Sequence, residues 1–303
     1  MTAATTPRLR RAAAPRLDTR ADRPVRRSPG LTIAMTLFLV YSLVPLAWLV
    51  INATKTQPGL LDSFGLWFAD DFALVDNVRQ VLTYNDGIFV RWFANTLLYV
   101  VVGAGGATVL ATFAGYGLAK FDFPGKRAVF AVVLGSIAIP GTALAVPTFL
   151  MFSELGLTNT IWAIIIPSLI SPFGLYLVWI FAQDSVPTEV LEAARVDGAS
   201  ELRTFLTIAL RMMVPGIVTV LLFAVVATWN NYFLPLIMLN DPALFPLTIG
   251  LQNWNAQAVG VGSTPIFHLV ITGSVLTILP IVVAFLLLQR YWQSGLTAGS
   301  VKA

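Results

Sequence analysis

The chain has 303 residues, of which 57% are hydrophobic and only 11% charged, with a formal net charge of +4. Soluble domains carry about 25% charged residues, so this composition predicts a polytopic membrane protein and argues against a soluble domain. The lack of cysteine excludes disulfides and thiolate metal sites. The positively charged residues lie beside apolar runs. This position indicates a role in membrane topology and not in nucleic-acid binding.

The first 30 residues are rich in arginine, alanine and proline. This composition predicts a disordered, basic N-terminal segment over residues 1–30. The segment does not resemble a secretory signal, because the apolar run after it exceeds the roughly 7–15 residues of a signal's apolar region. No small-residue cleavage site follows that run either.

Six apolar runs are long enough to cross a bilayer, which takes about 20 residues each. They predict an all-α, six-helix membrane domain over residues 31–289. Lysine and arginine concentrate at the N-terminus and after the second, fourth and sixth runs, so the positive-inside rule places both termini in the cytoplasm. Between the first two runs, an external segment is predicted to fold against the membrane domain through Trp67, Phe68, Phe72 and Leu74. The runs are Leu31–Ile51, Trp92–Ala119, Ala128–Phe152, Thr160–Phe181, Pro215–Leu239 and Phe267–Gln289.

The second to fifth predicted spans contain no charged residue. Ion-coupled secondary transporters usually carry ionisable groups inside their spans, so that class is disfavoured. A membrane enzyme is disfavoured as well, because no cluster of catalytic groups lies at membrane depth. Small residues recur every fourth position in the second span and predict a close helix–helix contact, either static or mobile. They are Gly103, Ala107, Ala111, Gly115 and Ala119.

The polar stretch after the fourth span predicts two short helices joined by a sharp turn. Gly198 is a candidate left-handed stop for the first helix, and Ser200 a candidate cap for the second. Glu192 and Arg195 are spaced as an i, i+3 ion pair. The second helix carries an apolar stripe. From these residues alone, a connecting loop and a docking element fit equally well. The stripe consists of Leu202, Phe205, Leu206 and Ala209.

This stretch resembles the EAA loop of ABC importer permeases, through which a membrane subunit docks on its ATPase. Arg211 stands where the family usually has its first proline. The resemblance implies a coupling loop at about residues 184–214, with ATP and magnesium bound by a partner and no cofactor in this chain. The chain would then be a permease subunit and not an enzyme. The matching residues are Glu192, Ala193, Ala194, Asp197, Gly198, Ala199, Phe205, Ile208 and Pro215.

Further stretches are similar to carbohydrate importer permeases, and the last one to the maltose-type G subunit. They imply a permease of a type I ABC importer in the bacterial inner membrane, working with an F-type permease subunit, an ATPase dimer and an extracytoplasmic solute-binding protein. The cargo would be a sugar, most simply an oligosaccharide. The alternative is a polyol or glycerol-phosphate, although an anionic cargo would favour cationic groups that the spans lack. The stretches are Asn95–Thr96, Ala114–Ala119, Trp229–Leu236 and Gly295–Lys302.

Two further contacts are implied by the resemblance. The segment between the last two spans would reach the binding protein, unless it merely packs on its own subunit. The C-terminal tail, residues 290–303, would insert between the ATPase subunits, unless it is a frayed end. The residues concerned are Gln252, Asn253, Trp254 and Asn255 in the first segment, and Gly295, Leu296, Thr297, Ala298 and Gly299 in the tail.

Overall fold

The computed structural model describes residues 28–260 and 262–298, and side chains up to residue 289. The predicted N-terminal segment lies outside these residues, apart from its last three. The described chain is built from helices, as predicted, with short 3-10 or π-helical stretches between some of them. The helices are α1 (Pro29–Ala53), α2 (Gln57–Asp62), α3 (Leu74–Leu98), α4 (Gly105–Lys120), α5 (Lys126–Ile137), α6 (Ala145–Glu154), α7 (Trp162–Ser168), α8 (Pro172–Ser185), α9 (Thr188–Val196), α10 (Glu201–Thr204), α11 (Leu210–Met212), α12 (Val214–Trp229), α13 (Phe233–Met238), α14 (Leu247–Ala258) and α15 (Phe267–Ala298).

Among the described residues, four helical stretches are each long and apolar enough to cross a membrane, and the total rises to six if two bent pairs each count as one span. The described residues up to Pro45 belong to one compact unit and those from Leu46 onward to another. In the first unit, the described part of α1 exposes its apolar side chains. A helix of this length and composition suits a lipid environment. The four stretches are Pro29–Ala53, Leu74–Lys120, Trp162–Ser185 and Phe267–Gln289.

The third predicted span is not continuous. Its two halves, Lys126–Ile137 and Gly141–Glu154, meet at an angle of 99°. Pro140 follows the end of α5 and cannot donate a helical hydrogen bond, while its ring disfavours a helical residue before it. The apolar run predicted over residues 128–152 therefore forms one span only if its two halves are taken together as a broken helix.

The fifth predicted span is also interrupted. α12 ends at Trp229, and α13 begins only at Phe233. A proline cannot donate to the carbonyl four residues before it and its ring collides with that carbonyl. Pro235 therefore prevents a regular helix through Asn231, whose carbonyl instead accepts a hydrogen bond from Thr248 Oγ1 at 2.8 Å.

The small-residue face of the second span packs against the fourth, as predicted for a helix contact. A Cβ atom added at Gly115 would lie 2.7 Å from Val178 Cβ, and one at Gly103 would lie 2.8 Å from Ser168 Cβ. These distances are too short for any side chain larger than hydrogen, so glycine sets the separation of α4 from α7 and α8.

The segment between α1 and α3 is held by polar contacts and not by its aromatic residues. Lys55 is fully buried, and its Nζ donates to the carbonyl of Phe64 at 2.9 Å. Asn77 Nδ2 donates to the carbonyls of Ala53 and Lys55 at 2.9 and 2.8 Å. The predicted aromatic packing was wrong: Trp67, Phe68 and Phe72 are all exposed. The backbone of α3 is not helical at Tyr84–Gly87, so the part of α3 that leads into the predicted second span begins after Gly87.

Candidate functional site

The two helices of the polar stretch form a hairpin at residues 188–212. Helix α9 ends in a Schellman motif, the paired hydrogen bonds of a left-handed helix stop. The amide of Gly198 donates to the carbonyl of Arg195, and that of Ala199 donates to the carbonyl of Ala194, each at 3.0 Å. Gly198 has φ +80°, a conformation that side chains resist. The predicted glycine stop is confirmed.

The second helix of the hairpin starts where it was predicted. Ser200 Oγ accepts a hydrogen bond from the amide of Arg203 at 3.4 Å, which caps α10. At its far end, the stretch Glu201–Met212 meets Val214–Trp229 at 78°. Pro215 lies in the first turn of α12, where a missing N–H is tolerated. The helix therefore breaks here even though arginine occupies the usual proline position at 211.

Arg195 connects the two helices of the hairpin. The sequence spacing had predicted a pair between Arg195 and Glu192 instead. Its Nε and Nη2 lie 2.6 and 3.3 Å from the two carboxylate oxygens of Glu201. This two-pronged hydrogen bond lowers the pKa of the Glu201 carboxyl. Both side chains are more than 40% exposed, so the pair fixes geometry more than it adds stability.

The apolar stripe of the second helix divides between two faces. Phe205 and Ala209 are buried, whereas Leu202 and Leu206 are 60% and 45% exposed. Leu202 and Leu206 form one i, i+4 row and Phe205 and Ala209 another, and the ring of Phe205 packs against Tyr116 of α4. The prediction of one continuous stripe was therefore wrong.

The hairpin exposes three large apolar side chains, of which sequence reasoning missed Val196. Val196 is 87% exposed, and together with the exposed Leu202 and Leu206 it makes up the set that we call the hairpin patch. The sequence signal for Val196 was its position as an apolar residue between Arg195 and Asp197 at the end of α9. Exposed apolar groups rimmed by polar ones often mark contacts with another protein.

The residues predicted to couple to an ATPase occupy different environments in the hairpin. Glu192, Ala193, Asp197 and Gly198 are exposed, and Ala199 is partly buried. Ala194 is 7% exposed and packs inside the subunit. Its small side chain therefore serves the hairpin's own packing, and it cannot contact a partner in this conformation.

Polar and aromatic contacts anchor the hairpin and the residues just before it to α4. Lys120 Nζ, at the end of α4, donates to the carbonyl of Val186 at 2.6 Å. The ring of Phe205 lies 4.8 Å from that of Tyr116, also on α4. Buried aromatic contacts of this kind are close-packed, so a shift of the hairpin is transmitted to α4.

The predicted binding-protein segment is helical, and its tryptophan belongs to the core. Trp254 is only 2% exposed, with its ring 5.0 Å from that of Trp92 and 5.5 Å from that of Tyr84. It cannot touch another protein in this conformation, so its assignment as a contact was wrong. Gln252 is exposed, and Asn253 and Asn255 are partly exposed.

Polar side chains at the start of the second span hold the segment that leads into α14. Asn95 Nδ2 donates to the carbonyls of Ala243 and Phe245, at 2.8 and 3.0 Å. Thr96 Oγ1 accepts a hydrogen bond from the amide of Leu247 at 2.8 Å. The Asn95–Thr96 pair is therefore a structural support for α14.

The predicted tail only partly enters the described chain. Helix α15 runs on to Ala298, so Gly295, Leu296, Thr297 and Ala298 have a helical backbone. Their side chains, and all of Gly299, lie outside the described residues. The insertion of this tail into an ATPase remains a prediction.

The chain is similar in sequence to known proteins. Residues 107–296 match the sequence profile described as binding-protein-dependent transport system inner membrane component. The chain is 31% identical to the arabinooligosaccharides transport system permease protein AraQ of Halalkalibacterium halodurans, over 90% of this chain and 95% of the relative. It is 30% identical to the lactose transport system permease protein LacG of Rhizobium radiobacter, over 91% and 98%.

The fold also matches a solved structure. It is similar to a chain in the crystal structure of a bacterial ABC transporter involved in the import of the acidic polysaccharide alginate. The TM-score is 0.75 at 21% identity, over 87% of this chain and 95% of that one. At this identity the likeness concerns the fold alone.

Proposed function

The chain belongs to the family of binding-protein-dependent transport system inner membrane components, and we propose that it is the G-type permease subunit of an ATP-driven oligosaccharide importer. A multi-pass membrane subunit of this family is a permease component and not an enzyme. The hairpin is the observation that carries the proposal. Its glycine stop, its serine cap and its ion pair between the two helices give it a compact shape suited to docking. The hairpin lies within the residues that match the family profile.

The proposed cargo follows from the relatives. Those compared above are described as permeases for arabinooligosaccharides and lactose, and a third, from Bacillus subtilis, for melibiose, raffinose and stachyose. These are neutral carbohydrates of two or more units. A polyol or glycerol-phosphate cargo is the alternative, and the chemistry of the cavities described below favours a neutral sugar.

The proposed assembly contains an F-type permease subunit, two ATPase subunits that hold ATP and magnesium, and an extracytoplasmic solute-binding protein. The basic flanks of the spans support a cytoplasmic location for both termini and for the hairpin. The opposite end, with Gln252, Asn253 and Asn255, would then face the binding protein. The tail at Gly295–Gly299 would lie on the ATPase side.

We propose that the hairpin patch fills a groove on the ATPase. A short apolar helix face in a groove is a known recognition mode, and the exposed Glu192 and Asp197 would form its polar rim. Because the Arg195–Glu201 pair and the Schellman motif fix the two helices relative to each other, the hairpin would move as one body when the ATPase closes. Its contacts with Lys120 and Tyr116 would pass that movement to α4.

The proposal is tested with the complete importer reconstituted in proteoliposomes. Uptake of arabinotriose, lactose or raffinose should require ATP inside and a sugar-loaded binding protein outside. Replacing Leu202 and Leu206 by glutamine should reduce co-purification of the ATPase and abolish uptake. The matched control is Val75→Gln, which changes an equally apolar exposed residue far from the hairpin in the sequence. Full ATPase recovery and full uptake in the hairpin variant would contradict the docking role.

A further inference from the structure

Two helix breaks meet at one cavity. The first lies between Ser168, the end of α7, and Pro172, the start of α8, and the second lies between α12 and α13 at residues 230–232. Both breaks border a cavity of about 210 Å³. Irregular backbone within a membrane span is tolerated where it is buried in protein or lines a polar cavity, and in transporters it often marks a binding site.

Free polar groups project from these breaks. The side chains of Thr228 and Asn231 line the cavity and have no hydrogen-bond partner within the described part of the chain. Ser168 Oγ donates to the carbonyl of Ile164 at 2.7 Å, which leaves its lone pairs available as acceptors. The cavity therefore offers a hydroxyl, an amide with two donors and one acceptor, and a further acceptor.

The cavity adjoins a larger one of about 760 Å³, with which it shares Pro167, Ile170, Asn231 and Leu234. The larger cavity lies against the bend between α5 and α6, and Phe152 and Phe233 form part of its wall. Its volume falls in the usual range of small-molecule sites, about 300–1,000 Å³. A flat apolar wall next to a cluster of polar groups is complementary to a sugar, which has apolar ring faces and hydroxyl edges.

The charge of the residues that line the two cavities limits which ligands can bind there. Among the described residues that line the two cavities, none carries a charged side chain. An anionic cargo such as a uronic acid or a phosphate ester would lose its hydration here without an opposite charge, which is costly. Neutral hydroxyl groups, in contrast, can exchange water for Thr228, Asn231 and Ser168.

We propose that Thr228, Asn231 and Ser168 form a subsite through which this chain itself binds a neutral oligosaccharide in the membrane. The inference rests on the proposed function and adds the binding residues and the charge class of the cargo. Asn231, at the point shared by both cavities, bonds hydroxyl groups, and Phe233 contacts an apolar face of a sugar ring.

The test uses thiol labelling, because the chain contains no cysteine of its own. A single cysteine at Thr228 is placed in the full importer, and its reaction with a small methanethiosulfonate reagent is followed. The sugar is whichever of arabinotriose, lactose and raffinose the wild-type importer takes up. Sugar-loaded binding protein with ATP should slow the reaction about fivefold or more, whereas sugar-free binding protein with ATP should not. Val226→Cys, exposed on the same helix but not a lining residue, should show no sugar effect.

Isosteric variants supply the second measurement. Thr228→Val removes only the hydroxyl and should raise the sugar concentration for half-maximal uptake about five- to tenfold, as expected for one lost hydrogen bond. Thr228→Ser should restore it. Thr219→Val is the matched control, because that hydroxyl is bound to the carbonyl of Pro215 outside the cavity.

The outcomes separate the two proposals. If the wild-type importer takes up none of the sugars, the proposed function fails. If it transports a sugar while Thr228→Cys shows no protection and Thr228→Val behaves like Thr219→Val, the subsite is wrong and the function stands. Equal inhibition of uptake by digalacturonate and by the neutral sugar, measured at the permease with each loaded on the binding protein, would overturn the charge class.

Discussion

Replacement of Gly198 by alanine isolates one physical quantity, the backbone conformation of the hairpin turn. Gly198 has φ +80°, and a Cβ atom added there would meet nothing within 4 Å. The substitution therefore adds no steric clash with the rest of the subunit. Its cost is the strain of placing an L-residue in the left-handed region, roughly 1–2 kcal/mol. This corresponds to about a 5- to 30-fold shift in the population of the native turn.

A matched control separates strain in the hairpin from strain elsewhere. Gly125, between α4 and α5, has φ +86° and equally open space around an added Cβ. Gly125→Ala therefore carries a similar conformational cost outside the hairpin. Gly198→Asn is the rescue variant, because asparagine tolerates the left-handed conformation better than other side chains do.

The assay measures membrane abundance of the chain, ATPase co-purification and ATP-driven sugar uptake in the reconstituted importer. Gly198→Ala should leave abundance near the wild-type level and lower uptake several-fold, with Gly198→Asn in between and Gly125→Ala close to wild type. Equal losses of uptake in the two alanine variants would show that general destabilisation, and not the hairpin turn, is responsible. Full uptake in Gly198→Ala would refute the role of the turn in coupling.

Four other variants address parts of the chain outside the hairpin. Lys55→Met keeps the buried apolar stem but leaves the carbonyl of Phe64 without its donor. The free energy of unfolding should therefore fall by about 1–3 kcal/mol, measured as a lower thermal midpoint of the complex in detergent. An unchanged midpoint would contradict this. Trp254→Ala removes a buried ring, so the free energy of unfolding should fall by about 3–5 kcal/mol. The amount of the chain in membranes should then be lower on immunoblots. Gln252→Ala should retain abundance but weaken binding-protein-stimulated ATP hydrolysis; unchanged stimulation would exclude a binding-protein contact at this position. Truncation after Ser294 should leave the chain inserted and reduce ATPase recovery, whereas full recovery would identify the tail as a frayed end.

The sequence predicted local structure well where one residue determines it. Gly198 stops a helix because few other residues adopt its φ, and Ser200 caps the next helix because its hydroxyl can reach an amide two or three residues on. The membrane class followed from apolar length alone. None of these features depends on distant parts of the chain.

Prediction failed where tertiary packing decides the outcome. Trp254 looked like an exposed contact in a polar segment. In the structure Gly250 lets the ring of Trp92 come close to α14, and the ring of Trp254 packs 5.0 Å from that of Trp92. Phe205 is buried because its ring packs against Tyr116 of α4, and the periodicity of the hairpin does not indicate which of its apolar rows meets α4. Lys55 can be buried because the carbonyl of Phe64 accepts a hydrogen bond from its Nζ, and nothing local to Lys55 indicates that carbonyl.

Chain continuity links the hairpin to the proposed sugar subsite. Helix α8 begins at the cavity and ends just before the hairpin, and α12 begins just after the hairpin and ends at the cavity. The two helices are about 21 and 24 Å long at 1.5 Å per residue. They also pack closely, since a Cβ at Gly174 would lie 3.0 Å from Val220 Cγ1 and one at Gly216 would overlap the ring of Phe181.

A pair of helices in such contact moves as a unit, because close-packed interiors do not deform continuously. A rotation of the hairpin would therefore displace the ends of α8 and α12 together, and Thr228 and Asn231 would move relative to the α5–α6 bend that lines the larger cavity. On this reasoning the cavity changes shape whenever the hairpin changes its tilt. A two-state change of this kind requires no ionisable relay inside the spans, which agrees with their lack of charged residues.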